Sequence, residues 1–208
     1  MLYFLENHDE QRIGSDFFAG NPWKGVPGMI VSALLQQNPV MIYAGQEFGE
    51  RGMDKEGFSG QDGRSTIFDY WTSDAIYKGF FNRKALTIDE KKLSLVYQGL
   101  LRFCNREKAV REGQTFDLMY VNNQSYQFNP RKQFAFLRKA DDEVLLVVAN
   151  FDQKRVYINV VIPSHAYDFL ALPEQEVEMT DLLSGFTKVV DLKRDGQVAL
   201  DVEANYGR

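Results

Sequence analysis

The stretch Leu2-Tyr3-Phe4-Leu5-Glu6-Asn7-His8-Asp9-Glu10-Gln11-Arg12 is apolar for the length of a strand and then turns abruptly polar and ionisable. An unbroken apolar run of this kind is expected of a parallel strand covered on both faces. In parallel α/β folds, ligands bind and chemistry occurs where loops leave the carboxyl ends of the strands. Asn7, His8 and Asp9 are therefore expected at a strand exit, facing a ligand. Val40-Met41-Ile42-Tyr43 repeats the apolar signature and ends in Gly45-Gln46-Glu47. Between the two runs, Pro27 suits a first helical turn, and Met29, Ile30, Ala33 and Leu34 recur at helical spacing until Pro39 stops the helix. The pattern is a strand-helix-strand crossover, expected to be right-handed, with its two exits side by side.

The loop from Glu10 to Pro27 is long for such a unit and carries Phe17, Phe18 and Trp23. Long loops at strand exits are commonly binding or lid segments. A second loop, Gly49 to Tyr70, is rich in Gly and Asp and holds Phe58, Phe68 and Tyr70, with Trp71 following. It reads equally as a surface loop or as a substrate contact. From Glu90 to Asn105, Leu93, Val96, Tyr97, Leu100, Leu101 and Cys104 recur at the spacing of an amphipathic helix. Cys104 thus reads as a buried thiol.

Beyond residue 110 the pattern changes to β-branched runs broken by turn residues. Phe134–Arg138, Glu143–Phe151 and Val156–Ile162 are expected strands, with Asp141-Asp142 and Asp152-Gln153-Lys154 between them. Shorter strands follow near Glu176–Met179, Lys188–Asp191 and Val198–Val202, with turns at Ser184-Gly185 and Asp195-Gly196. Two antiparallel sheets packed face to face are the expected result. The fold class is α/β followed by all-β, with one region over 1–105 and a second over 106–208.

Composition narrows the function. The chain has 208 residues, 44% of them hydrophobic and 25% charged, as in an ordinary globular protein. A formal charge of −5 without a Lys/Arg cluster speaks against nucleic acid as the main partner. One cysteine excludes an internal disulfide. No apolar run reaches membrane-spanning length. The opening residues lack the basic stretch of a signal peptide, which leaves the compartment open. His8 and His165 are the only histidines, and no spaced ligand set surrounds them, so neither a metal nor a cofactor is expected. An imidazole beside a carboxylate can instead grip adjacent hydroxyls, the surface that sugars present.

Phe4-Leu5-Glu6-Asn7-His8-Asp9 resembles the Phe-x-x-Asn-His-Asp signature after the seventh barrel strand of the α-amylase family, glycoside hydrolase family 13. Pro39-Val40-Met41-Ile42-Tyr43-Ala44-Gly45-Gln46-Glu47-Phe48-Gly49 is similar to that family's eighth strand. Arg106–Gly113 resembles the passage from the last barrel helix into the C-terminal β-sandwich, and Leu146–Phe151 a strand of it. The resemblance implies the last quarter of a (β/α)8 TIM barrel, strands 7 and 8 with their helices, then an antiparallel β-sandwich.

It further implies a retaining enzyme on an α-glucan or maltooligosaccharide, with nucleophile and acid/base about 5 Å apart. Asp9 matches the carboxylate that stabilises the transition state and His8 the imidazole on the same sugar. Asn7 and Arg12 are expected to assist binding, Arg12 either solvated or paired with a loop carboxylate. Tyr43, Gln46 and Glu47 are expected to organise the site. The family's nucleophile and acid/base follow its fourth and fifth strands, which have no counterpart here. A complete barrel takes roughly 250 residues. The chain is thus expected to be the C-terminal piece of a longer enzyme. The alternative is a carbohydrate-binding or structural β-sandwich module without catalysis of its own, using Tyr120, Tyr126, Phe128, Tyr157 and Tyr167, although such rings also fill cores.

Overall fold

The structure, a computed structural model, describes residues 1–52, 62–65, 74–123 and 127–208. Phe58, Phe68, Tyr70, Trp71 and Tyr126 lie outside the described residues. The chain forms two compact units that interleave in sequence: Met1–Ser32 with Asn38–Leu101, and Ala33–Gln37 with Arg102–Arg208.

In the first unit, Tyr3 and Val40 form a parallel bridge, with Tyr3 N donating to Pro39 O (2.9 Å) and Met41 N to Tyr3 O (2.8 Å). The two apolar runs are therefore parallel at this one bridge, but the full strands expected over Leu2–Leu5 and Val40–Tyr43 do not form. Burial differs from expectation. Leu2 is 46% and Phe4 42% exposed, while Tyr3 and Leu5, alternating with them, are half-buried. After a 3-10 turn over Pro22–Gly25, helix α1 spans Val26–Leu34, with Pro27 in its first turn. Val26, Met29, Ile30, Ala33 and Leu34 form a buried stripe at i, i+3, i+4, i+7 and i+8.

Helix α2 covers Asp74–Phe81 and α3 covers Ile88–Arg106. A capping box starts α3: Glu90 N donates to Thr87 Oγ1 (3.1 Å), and Thr87 N donates back to the Glu90 carboxylate (2.6 Å). This sets the start at Ile88, two residues before the expected Glu90. Leu93, Tyr97 and Leu100 are buried, whereas Leu101 is exposed and Val96 half-buried. Cys104 is half-buried, and desolvation pushes its thiol upward, which favours the unreactive protonated form.

The second unit is largely antiparallel. Helix α4 (Lys108–Arg111) leads to β1 (Gln114–Asp117), helix α5 (Met119–Asn122), β2 (Gln133–Ala140), β3 (Glu143–Asn150) and β4 (Val156–Ile162). Helix α6 (Ser164–Leu170), β5 (Gln175–Thr180), β6 (Thr187–Leu192), β7 (Gly196–Val202) and β8 (Tyr206–Gly207) follow. Three sheets form where two were expected: β1-β2-β3-β8, β4-β7 and β5-β6. In β5, exposed Glu176 and Glu178 alternate with half-buried Val177 and Met179, and in β6 half-buried Lys188 and Val190 share one face while Val189 is exposed. One core joins Ala135, Leu137 and Val148 to Ile158, Val160, Leu200 and Val202, with Met179 and Val190 packed against it. Asn150 is buried and fully engaged, accepting from Gln133 Nε2 (3.0 Å) and donating to the carbonyls of Lys154 (3.0 Å) and Glu203 (2.9 Å).

Arg138 on β2 is 0% exposed. Its guanidinium donates to the carbonyls of Leu34 (3.1 Å), Val110 (2.8 Å) and Gly113 (2.9 Å). Leu34 ends α1, and its terminal carbonyls lack helical partners, so a cation there is favourable. Replacing Arg138 by Leu takes a donor from three carbonyls, of which Gly113 O keeps the Gln37 side-chain amide, and should cost about 3 kcal/mol, read as a lower urea midpoint. Val189→Ala, at an exposed position, should change stability by no more than about 0.5 kcal/mol.

Candidate active site at the strand exits

The exit of the first apolar run is built around Glu6, the residue that ends it. Glu6 is buried, and its carboxylate accepts from Arg12 Nη1 (2.8 Å) and from the Ile13 amide (2.7 Å). Burial holds this carboxyl above the ordinary carboxylate range, although Arg12 and the Ile13 amide pull it downward. Arg12 is also fully buried. Its Nη2 donates to Ala44 O (2.8 Å), its Nε to Ser65 Oγ (2.6 Å) and its backbone amide to Gly63 O (2.9 Å). The guanidinium lies over the Tyr43 ring, 4.2 Å from its centroid.

Between these two residues lies the Asn-His-Asp loop. Asn7 Oδ1 accepts from the amides of Asp9 and Glu10, both at 2.9 Å, so this side chain shapes the loop. His8 and Asp9 project outward, their side chains 53% and 74% exposed, with Nε2 3.5 Å from Oδ1. Of the two alternatives the sequence offers for Arg12, the paired one is found: the guanidinium is buried, not solvated, and pairs with the carboxylate of Glu6, which belongs to no strand or helix. Glu6 and Ser65 are the residues that sequence reasoning passes over. A carboxylate closing an apolar run, with an arginine six residues on, is the signal that could have revealed the pair.

At the second exit, Gln46–Phe48 form one 3-10 turn between two left-handed glycines, Gly45 (φ +90°) and Gly49 (φ +76°). A Cβ on Gly45 would come within 2.5 Å of Ile76 Cγ1, and one on Gly49 within 2.8 Å of Pro22 Cγ. Both positions thus demand glycine, which explains their spacing. Gln46 is buried, donating to Tyr97 Oη (3.1 Å) and accepting weakly from the Tyr43 amide (3.3 Å). Glu47 accepts from the Gly45 amide (3.1 Å) and is half-buried, and desolvation raises its carboxyl. Glu50 is buried and accepts from the amides of Gly52 (3.0 Å) and Ile76 (3.2 Å). The turn is internally satisfied.

Of the loop aromatics, Phe17 and Phe18 are exposed, whereas Trp23 is half-buried and its indole donates to Asp89 (3.0 Å). In the second unit, Phe128 and Tyr167 belong to the core, while Tyr120 and Tyr157 are exposed. No group of three metal-ligating side chains occurs among the described residues. No helix among them is long and apolar enough to cross a membrane.

No protein-family model and no curated protein matches the chain. Solved structures do. AmyP in complex with maltose superposes with a TM-score of 0.66 at 16% identity, over 99% of this chain and 39% of that one. A maltogenic α-amylase, AmyB from Thermotoga neapolitana, gives 0.60 at 14% identity over 99% and 39%. The acarbose-bound α-amylase of Geobacillus thermoleovorans gives 0.57 at 17% identity over 100% and 37%. The fold is that of an α-amylase's C-terminal portion. The chain spans about two fifths of the length of these α-amylases.

The raised Glu47 carboxyl makes a signed prediction. The folded state binds the extra proton between the ordinary value of 4.5 and the higher folded one. Glu47 therefore costs stability as pH rises through that window. The melting temperature of Glu47→Gln minus that of the parent should increase from pH 4 to pH 7. A difference that stays flat across this range would contradict the assignment.

Proposed function

We propose that this chain forms one wall of the active site of a retaining enzyme acting on α-glucans, either a hydrolase or a transglycosidase. Residues 1–105 supply the last two strands of a (β/α)8 barrel and 106–208 a β-sandwich. Asp9 stabilises the oxocarbenium-like transition state, and His8 hydrogen-bonds the same sugar ring. Tyr43, Gln46 and Glu47 shape the neighbouring exit. The nucleophile and acid/base belong to strands outside this sequence.

The observation that carries this reading is the pairing of His8 with Asp9. Two exposed polar side chains stand on a loop whose base is fully buried and satisfied. A surface turn evolved for solubility alone needs no such foundation. Neighbours of the same fold are described with maltose and acarbose, which suggests an oligosaccharide for this site as well. A hydrogen bond from Asp9 or His8 accelerates reaction only if it tightens in the transition state. A separate carbohydrate-binding role for the second unit is less well supported, since Phe128 and Tyr167 are spent on its core.

Incubated with maltooligosaccharides, the 208-residue chain should release no reducing sugar, because the proposed nucleophile and acid/base stand on strands that have no counterpart in it. In the full-length enzyme, Asp9→Asn should lower kcat on the order of 10²- to 10³-fold, the usual cost of one group stabilising transition-state charge. Ground-state affinity should change far less. Turnover by the chain alone that Asp9→Asn abolishes would overturn the proposal.

A further inference from the structure

We propose that Glu6 and Arg12 act as a positioning pair for the exposed His8 and Asp9, a staple that fixes where the loop between them stands. The catalytic part of this inference rests on the function proposed above; the part concerning the loop does not.

The geometry is that of a clasp. Both oxygens of Glu6, the residue just before Asn7, are bound to the far side of the loop, at Arg12 Nη1 (2.8 Å) and the Ile13 amide (2.7 Å). The segment Asn7–Gln11 must therefore leave and return at one point. Asn7 Oδ1, holding the Asp9 and Glu10 amides, fixes the path in between. The same guanidinium then attaches the clasp to Ala44, next to Gly45 at the second exit, and to Ser65 on a third segment. One cation thus gathers three segments, and its planar face is held against Tyr43.

Stability alone does not call for this arrangement. A buried ion pair roughly breaks even against well-packed apolar residues of similar volume, because desolvation cancels the Coulomb gain. What it adds is direction. A guanidinium has a rigid fork of donors, so its acceptors must occupy fixed positions, whereas an ammonium fixes far less. For side chains that must meet a sugar in one pose, displacement of about 1 Å can cost on the order of 10²-fold in rate.

Arg12→Lys tests the inference, since it keeps the charge but not the fork. Two readouts are needed. In the 208-residue chain, amide exchange of Asp9, Glu10 and Ile13 should accelerate about tenfold or more through local opening. The His8 imidazole resonance should shift while that of His165, the only other histidine and part of the second unit, stays in place. In the full-length enzyme, kcat should fall roughly 10- to 10²-fold with KM nearly constant. Leu100→Ala, in the buried face of α3, serves as a control that destabilises without touching the clasp; its kcat should remain that of the parent below the melting transition.

Unchanged exchange at Asp9 and Glu10 in Arg12→Lys would overturn the staple. So would a loss of kcat in Leu100→Ala as large as that in Arg12→Lys, because both would then reflect stability. If Asp9→Asn leaves kcat untouched, the proposed function fails and takes the catalytic part with it. The exchange result still decides the loop.

Discussion

Removing a guanidinium from water is costly unless its N–H groups find acceptors, and that demand links three segments of the first unit. Around Arg12 the acceptors come from the end of one strand, the carbonyl next to another strand's exit and the hydroxyl of a distant serine. Each has to be delivered by backbone in a definite place. The left-handed Gly45 follows directly after Ala44, and the return of the chain at Ile13 is held by the same Glu6 carboxylate. The apolar stripe of α1 and the face of α3 supply the bulk of the burial.

The second unit uses the same residue type differently. Arg138 meets no carboxylate among its described partners and collects three backbone carbonyls. Burial pulls its guanidinium below the usual arginine range, though an arginine so basic stays charged. A charge held only by peptide dipoles cannot be neutralised by protonation of a partner, so this node keeps its bonding across the pH range in which carboxylates titrate.

How much of this could be read in the sequence depended on whether the signal was local. The strand Val156–Ile162 is found with its expected limits, because β-branched alternation between turn residues is a local pattern. Helix α3 was legible from its periodicity, while its first residues were set by the Thr87 and Glu90 exchange of bonds. Helix α6 was missed. Its buried Ala166, Tyr167 and Leu170 span barely two turns inside a β-rich region, too short for a period to emerge. Uniform apolarity at Leu2–Leu5 suggested burial, yet it records what a strand can cover and not what covers it. At the site, Asn7, His8 and Asp9 stood out by their chemistry. The burial of Arg12 did not, because it depends on Ser65 and Ala44, far away in sequence.

The interleaving of the two compact units bears on how the gene can be dissected. Ala33–Gln37 groups with Arg102–Arg208, although more than sixty residues separate the two in the chain. The five-residue segment supplies Leu34 O to Arg138, Leu35 O to the Thr115 hydroxyl (2.7 Å) and the Gln37 amide to Gly113 O (3.2 Å). Cloning the β-rich half from the end of α3 onward would discard these partners while keeping the groups that need them. An excision that respects the covalent order would cut through the cohesive order, and a faithful β-rich module would have to carry a graft of α1's last turn.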